Sequence, residues 1–172
     1  MFSSVASKSD TITIMKIIGI DPGYERLGIS IVDVDEDKKE ALLFSECFQT
    51  SSALDFNSRL ALIGTEMVKI ITEYKPDVLA IEKLYFTNNQ KTAIGVAEVI
   101  GAIIYIAKSN NLTVHEYTPL QIKSAIAGSG RGTKKDVITM LHRLIKIEKK
   151  IKYDDEYDAI AVALTCSAIE RF

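Results

Sequence analysis

The order of its apolar segments constrains the fold of this chain more than any other feature of the sequence. Three short apolar runs come first, at residues 16–21, 27–33 and 41–49, and Pro22-Gly23 lies between the first two as in a hairpin turn. These runs predict three antiparallel strands connected as a meander. The later segments alternate between strand and helix patterns, which predicts an α/β fold with one five-stranded mixed sheet flanked by helices.

The later segments can be assigned from their periodicity. Apolar residues recur at three- and four-residue spacing from Leu60 to Tyr74, which predicts an amphipathic helix that ends before Pro76. Residues 91–108 are apolar almost all round, which predicts a helix covered on more than one side. The remaining predictions are strands over 77–82 and 112–116, a short helix opened by Pro119 and ended by the glycines at 128–132, and helices over 134–146 and 154–169.

Length and composition favour a single globular domain. The chain has 172 residues, of which 47% are hydrophobic and 26% charged, and two separate cores would be cramped in that length. Residues 1–14 lack the basic start and apolar block of a secretory signal, so we expect a flexible extension followed by one domain over 15–172. The longest apolar stretch, 93–107, is interrupted by Glu98 and is shorter than the roughly 20 residues that a membrane-spanning helix needs. We therefore expect a buried helix and no membrane contact.

The two cysteines indicate a reducing compartment. Cys47 and Cys166 are far apart in the chain, and neither has a partner at metal-ligand spacing. Neither a disulfide scaffold nor a zinc knuckle is therefore expected. We expect both cysteines to fill the core and the protein to be cytoplasmic.

Four carboxylates occupy positions where a catalytic site could form. Asp21 ends the first predicted strand and Glu82 ends the fourth, so the two side chains share one edge of the sheet if these strands are parallel neighbours. Asp155 and Asp158 are three residues apart and share one face of the last helix. Acids that converge in this way repel one another unless a cation is present. Their hard oxygen ligands suit Mg²⁺, with Mn²⁺ as a substitute. Two such ions, about 3.5 to 4 Å apart, would promote in-line hydrolysis of a phosphodiester.

Each of these acids also has a structural interpretation. An Asp before Pro-Gly is often a turn former, and an Asp-x-x-Asp pair at a helix start often caps the helix. The placement of two acids at strand ends and two on one helix face favours a shared site over four separate structural roles. Of the neighbouring pair at the last helix, Asp154 is the better cap and Asp155 the better site residue.

A local excess of basic residues predicts a binding region for a polyanion. The net charge of residues 131–152 is +6, whereas the whole chain carries −2, so a phosphate backbone would be drawn to one region. A solvated helix face is the alternative. Lys123 and Lys134 are the best candidates for phosphate contacts. Arg131, in a glycine-rich loop, and Lys135 are further candidates.

Two adjacent aromatic residues follow the second acid. Tyr85 and Phe86 come shortly after Glu82 and precede a polar segment. Aromatic side chains in a loop beside a catalytic acid can stack on unpaired bases or wedge between them. We expect Tyr85 to be exposed and Phe86 to be buried. His115, at a strand end, and His142, on the basic helix, are not expected to be catalytic.

Three groups of residues resemble the RuvC family of Holliday junction resolvases, which belongs to the ribonuclease H-like nuclease superfamily. They are Ile18-Gly19-Ile20-Asp21-Pro22-Gly23 followed by Gly28, then Ala80-Ile81-Glu82 with Leu84-Tyr85-Phe86, and Asp155-Glu156-Tyr157-Asp158-Ala159 with Ala161 and Ala163. The resemblance covers nearly all of the chain after Ile14. It implies a ribonuclease H-like fold and a Mg²⁺-dependent endonuclease that nicks two strands of like polarity in four-way DNA junctions, during recombination and repair.

The resemblance also implies roles for single residues. It matches Asp21, Glu82, Asp155 and Asp158 to metal-binding acids, Tyr85 to an aromatic that meets junction bases, and Lys123 and Lys134 to basic residues near the cleaved phosphate. A symmetric substrate implies a two-fold homodimer. Helix 91–108 is the candidate interface, and its burial against its own sheet is the alternative. Cooperation with a branch-migration motor of the RuvA and RuvB type stays open. The chain departs from the family at 95–101, where an arginine that the family usually carries is missing.

Other functions fit parts of the same pattern. A related nuclease that cleaves RNA or an RNA–DNA hybrid would use the same acids. A non-catalytic junction-binding module would use them only to stabilise the fold. A nucleotide-binding phosphotransferase is less well supported, because the later phosphate-binding glycine signatures are not evident in the sequence.

Overall fold

Five strands form one mixed sheet. The structure, a computed structural model, describes residues 13–84 and 90–170. The strands are β1 (Thr13–Asp21), β2 (Arg26–Asp35), β3 (Glu40–Gln49), β4 (Val78–Glu82) and β5 (Thr113–Tyr117). Their order in the sheet is β3-β2-β1-β4-β5, in which β1, β2 and β3 are antiparallel neighbours and β4 lies parallel to both β1 and β5. The predicted meander and mixed sheet are confirmed.

Five helices accompany the sheet among the residues described. They are α1 (Phe56–Tyr74), α2 (Gln90–Ser109), α3 (Pro119–Ala127), α4 (Lys134–Leu144) and α5 (Asp154–Glu170). α1 begins four residues before the first apolar position of the predicted pattern, because Asp55 caps it by accepting a hydrogen bond from the backbone N–H of Ser58. It ends at Tyr74, and the capping residue Lys75, whose backbone is left-handed with φ 50°, comes immediately before Pro76.

Two apolar layers cover the two faces of the sheet. Successive residues of β1 point to opposite faces, so Ile17 packs against the layer formed by α3, α4 and α5, whereas Ile18 packs against α1 and α2. β1 begins at Thr13, two residues before the predicted start of the domain. Residues 1–12, the rest of the predicted extension, lie outside the described residues.

α2 is buried on one face only. Val99, Ile103 and Ala107 are fully buried against the sheet and α1, whereas Ile94 is 62% exposed and Tyr105 is 73% exposed. The prediction that this helix is covered on more than one side is therefore wrong for the single chain. By length and composition alone, Thr92–Ser109 is the one helix in the described part of the chain that could cross a membrane. The core helices of many proteins meet the same weak criterion.

Candidate active site

Asp21 and Glu82 end neighbouring parallel strands. β1 and β4 are paired with Ile20 opposite Ile81, so the acid that follows each isoleucine lies at the same edge of the sheet. Both acids have the strand parity of Ile17 and Val78, which belong to the core layer under α5. The sequence prediction that these two carboxylates share an edge is confirmed by the register.

Close packing of α5 on β1 and β2 brings the other two acids to this edge. A Cβ atom at Gly28 would overlap the backbone carbonyl of Asp155, and one at Gly19 would overlap that of Ala159. The hydroxyl of Ser30 donates a hydrogen bond to the carbonyl oxygen of Ala159 at 2.9 Å. Glycine at positions 19 and 28 therefore lets the start of α5, with its acids, approach the carboxyl ends of the strands.

The pKa values of three of the clustered acids are raised above their ordinary values. Burial raises the pKa of Asp21 from 3.8 to about 8, and repulsion from Asp158, Glu82 and Asp155 adds to this shift. Burial, reinforced by Asp158, also raises the pKa of Glu82. The pKa of Asp158 is raised by burial, although Lys134 opposes the shift. These directions show that three acids lie in a partly desolvated region that is short of positive charge.

Two cations contact the cluster from α4 and β2. The Lys134 ammonium donates a hydrogen bond to Asp158 at 2.9 Å and lies 3.3 Å from Asp154. Burial acts to lower the pKa of Lys134, but its hydrogen bonds to these two carboxylates outweigh that effect and raise it. On the β2 side, Nε of Arg26 lies 3.3 Å from Asp155. Sequence reasoning missed Arg26, because a single arginine at the start of a strand carries no motif.

The donor set fits a hard divalent cation in its chemistry. Asp21, Glu82, Asp155 and Asp158 supply only carboxylate oxygens, which Mg²⁺ and Mn²⁺ prefer. As the side chains stand, however, no group of three or more His, Cys, Asp or Glu residues in the described ranges 13–84 and 90–170 is arranged to hold one metal ion. Asp155 and Asp158 are turned towards Arg26 and Lys134 instead. For all four carboxylates to hold one ion, these two side chains would have to turn away from Arg26 and Lys134.

A cavity of about 220 Å³ adjoins the acids between α3, α4 and α5. Lys123 and Lys134 line it together with Glu82 and Asp158, and apolar side chains, among them Val137, complete its wall. Lys123 is exposed, and its charge acts to lower the pKa of Glu82. Both predicted phosphate-contacting lysines thus lie beside the carboxylates.

Some of the remaining basic residues in the run 131–152 are paired with acids. Arg131 and Lys135 are exposed near the start of α4. Further along the run, Lys146 lies 2.5 Å from Glu148 and Lys149 lies 2.5 Å from Glu156. Part of the predicted positive region is thus neutralised locally. Tyr85 and Phe86, the predicted base-contacting aromatics, lie outside the described residues.

Two neighbours of the site, Cys47 and Asp154, differ from expectation. Cys166 is buried as predicted, but Cys47 is only partly buried and its Sγ lies 3.9 Å from Oδ2 of Asp155, so it is not a simple core filler. Asp154 is the first residue of α5 and pairs with Lys134, rather than preceding the helix as a cap. His142 contacts the hydroxyl of Tyr157 at 3.1 Å.

Known proteins are similar to this chain over nearly its whole length. The family model described as crossover junction endodeoxyribonuclease RuvC matches residues 17–166. The enzyme of that name from Finegoldia magna is 43% identical over 150 residues, which cover 87% of this chain and 91% of the relative. The one from Caldicellulosiruptor saccharolyticus is 41% identical over 150 residues, which cover 87% and 90%. The structure of T. thermophilus RuvC in complex with a Holliday junction substrate aligns with a TM-score of 0.85 at 29% identity, covering 91% of this chain and 95% of that one.

Proposed function

This chain belongs to the RuvC family of crossover junction endodeoxyribonucleases, and we propose that it resolves four-way DNA junctions with the acids at the edge of its sheet. It is an endonuclease, and the expected ribonuclease H-like fold is confirmed by the similarity to T. thermophilus RuvC. The observation that best supports the catalytic assignment is the shared electrostatic environment of Asp21, Glu82, Asp155 and Asp158, which come from three distant segments. The proposed cleavage takes place in the cytoplasm, during the recombination and repair of DNA.

The four acids are the metal-binding residues of the proposal. Nucleases of this family are metal-dependent, and Mg²⁺, with Mn²⁺ as a substitute, matches the carboxylate donors. When bound, two such ions would activate the attacking water and stabilise the leaving oxygen of the phosphodiester. The carboxylates of Asp155 and Asp158 contribute by leaving Arg26 and Lys134 and turning towards Asp21. Attraction between the bound ions and the carboxylates would offset the loss of these two ion pairs and the mutual repulsion that, together with burial, raises the pKa of Asp21.

Lys134 and Lys123 act on the substrate phosphate. Both line the cavity next to Glu82 and Asp158, so a scissile phosphate bound there would lie between the lysines and the acids. When Asp158 turns away, the Lys134 ammonium keeps its ion pair with Asp154 and gains a donor hydrogen for a phosphate oxygen, with which it offsets the negative charge that develops during hydrolysis. Exposed Arg131 and Lys135 extend the contact along the DNA backbone. Tyr85 and Phe86 are proposed to meet the junction bases.

Replacement of Lys134 by Ala should slow nicking by about 100-fold under single-turnover conditions, because one donor to the developing charge is lost. Lys135→Ala is the matched control, since it removes an exposed lysine one position away. We expect that variant to weaken junction binding at moderate salt and to leave the rate of the bound complex unchanged. Equal single-turnover rates for Lys134→Ala and the wild type would contradict the role of Lys134.

Mg²⁺ should stabilise the folded protein. A ligand that binds only the folded form at 100 times its Kd adds about 2.7 kcal/mol to the free energy of unfolding, which raises Tm by about 5 °C or more in a domain of this size. Differential scanning fluorimetry with Mg²⁺, Mn²⁺ or EDTA measures the shift. The Asp21→Asn variant with Glu82→Gln should lose most of it. An equal shift in this double variant would place the stabilising ion elsewhere.

The exposed face of α2 is the proposed homodimer interface. Ile94, Ala97, Gly101 and Tyr105 lie on the solvent side of this helix, and the small residues allow a second helix to approach closely. Sedimentation of the wild type should give a dimer, and Tyr105→Asp should give a monomer. Leu62→Asp on α1, which also replaces an exposed apolar residue, should remain dimeric. A Tyr105→Asp protein that remains dimeric would exclude this face.

The decisive assay compares several substrates with one enzyme preparation. A four-way junction, a linear duplex and an RNA–DNA hybrid are incubated with Mg²⁺ or EDTA, and the products are mapped on both strands. We expect metal-dependent paired nicks in the junction that a ligase can seal. Preferred cleavage of the hybrid would indicate the related ribonuclease, and metal-independent binding without nicking would indicate a structural module. Adding RuvA and RuvB to the same reaction tests whether a branch-migration motor changes the rate.

A further inference from the structure

Behind the catalytic acids, the first turn of α5 holds a buried carboxylate that has no role in the proposed hydrolysis. Glu156 follows Asp155 directly and is only 6% exposed. Its Oε1 accepts a hydrogen bond from the hydroxyl of Ser45 at 2.7 Å and lies 2.5 Å from the ammonium of Lys149. A charge buried to this degree is retained only with partners that compensate for its lost hydration.

The partners of Glu156 come from two other parts of the fold. Ser45 lies in β3, the edge strand, and is 3% exposed. Lys149 belongs to the link between α4 and α5, and its ammonium also donates to the backbone carbonyl of Ser45. The three residues, which we name the β3 latch, therefore join the edge strand, the link and the first turn of α5.

From this geometry we propose that the β3 latch positions the proposed metal-binding acids of α5. An α-helix turns by about 100° per residue, so fixing Glu156 against β3 also fixes the direction in which Asp155 and Asp158 project. Both must reach the same point beside Asp21 although they lie on either side of Glu156 in the chain. A small rotation of the first turn would move one towards the strand ends and the other away from them.

The latch is suited to resist the forces that act on this turn. Asp155 is drawn to Arg26, and Asp158 is drawn to Lys134, so the turn carries cations on two sides. The ion pair of Lys149 with Glu156 opposes displacement of the helix end from β3 while these carboxylates reorient. Ser45, Lys149 and Glu156 are thus positioning residues that act through Asp155 and Asp158, and this inference rests on the proposed function of those acids.

The test compares two ion pairs whose lysines, Lys149 and Lys146, lie in the same link between α4 and α5. Glu156→Gln and Lys149→Met break the buried pair, and Lys149→Arg restores a cation. Lys146 and Glu148 form a second pair at the same distance of 2.5 Å, but both side chains are exposed. Glu148→Gln and Lys146→Met are therefore matched controls. Each variant is assayed for junction affinity in EDTA, for kcat and KM with Mg²⁺, and for amide hydrogen exchange at residues 154–160.

We expect the latch variants to lose turnover rather than affinity. Misplacing the acids by about 1 Å costs about 100-fold in rate, so Glu156→Gln and Lys149→Met should lower kcat by about 10- to 100-fold and raise the Mg²⁺ concentration needed for half-maximal activity. Junction affinity and KM should stay within about two-fold, and Lys149→Arg should recover most of kcat. Exchange at residues 154–160 should accelerate in both latch variants and remain unchanged in the controls.

Several results would overturn the inference. Wild-type kcat in Glu156→Gln, or an equal loss in Glu148→Gln, would show that the latch does not position the acids. A variant that no longer folds would appear as a loss of protection throughout the sheet, and Lys149→Arg then decides, since unrestored kcat in a folded Lys149→Arg protein would contradict the proposal. If the wild type itself fails to cut junctions, the proposed function fails, whereas faster exchange confined to residues 154–160 would still support the latch as an anchor of α5.

Discussion

Asp21→Asn should abolish junction cleavage and, in EDTA, should make the protein more stable than the wild type at pH 8. The loss of activity should be at least about 1000-fold, because this acid is central to the proposed metal site and each 1.4 kcal/mol lost from transition-state stabilisation costs a factor of about ten. Junction binding in EDTA should persist or strengthen, since a negative charge near the phosphate is removed. Single-turnover cleavage and a binding titration measure the two effects.

The stability effect follows from proton linkage. The pKa of Asp21 is raised from 3.8 to about 8 on folding, so between these values the folded protein binds more protons at this site than the unfolded chain does. The free energy of unfolding of the wild type therefore falls as pH rises from about 4 towards 8. Asparagine removes this penalty, and we expect a gain of about 1 to 3 kcal/mol at pH 8 and little change near pH 4.

Urea unfolding in EDTA at pH 4, 6 and 8 measures this dependence. Asp37→Asn is the matched control, because Asp37 is an exposed carboxylate whose Oδ2 lies 3.3 Å from the ammonium of the nearby Lys39. It should unfold with the same pH dependence as the wild type. If Asp21→Asn were less stable than the wild type at pH 8, the carboxylate would be satisfied by a partner and the cluster would not be short of positive charge.

The sequence predicted the strand-end acids because backbone geometry alone determines their position. Asp21 and Glu82 each end an apolar run, and adjacent parallel strands place their carboxyl ends together. The helix pair needed only the three-residue spacing of Asp155 and Asp158. The similarity to RuvC proteins supports the function that was expected from these residues and their neighbours, while their catalytic roles stay a prediction.

Contacts between distant side chains could not be predicted in the same way. Ser45 and Glu156 are 111 positions apart in the chain and meet only because of the order of the sheet and the packing of α5 on it. The same holds for Arg26 beside Asp155. Periodicity identifies the apolar face of an element, but it does not give the direction of a polar side chain relative to another element.

The basic run over residues 131–152 shows a related limit of prediction from sequence, because its net charge does not tell which lysines are paired. Counting charges over residues 131–152 predicted one positive region. Lys134 pairs with acids of the proposed active site, whereas Lys149 pairs with Glu156 on the β3 side of α5. The electrostatic potential at a bound phosphate depends on which lysines already form ion pairs with acids. The positive charge of a region can therefore be judged only when these contacts are known.

Gly28→Ala should cost both stability and activity, although it adds only a single methyl group and removes no charged or hydrogen-bonding group. The new Cβ would overlap the carbonyl oxygen of Asp155 and lie 2.6 Å from its carbonyl carbon and 3.1 Å from Cβ of Asp21. Because the first two atoms belong to the backbone, no side-chain rotation relieves the clash, and α5 must move away from β2. Overpacking of this kind costs about 1 to 3 kcal/mol, and a shift of the acids by about 1 Å costs about 100-fold in kcat.

Gly64→Ala separates this effect from a general intolerance of glycine replacement. Gly64 lies inside α1, and a Cβ there would make an ordinary contact of 3.5 Å with Ile106. Since alanine is favoured over glycine in a helix by up to about 1 kcal/mol, this variant should be slightly more stable and fully active. Chemical unfolding measures the stability of each variant, and single-turnover cleavage at 20 °C, with circular dichroism to check that the variant is folded, measures its activity. A Gly28→Ala protein with wild-type stability and rate would show that α5 does not rest on β2 as closely as the acidic site requires.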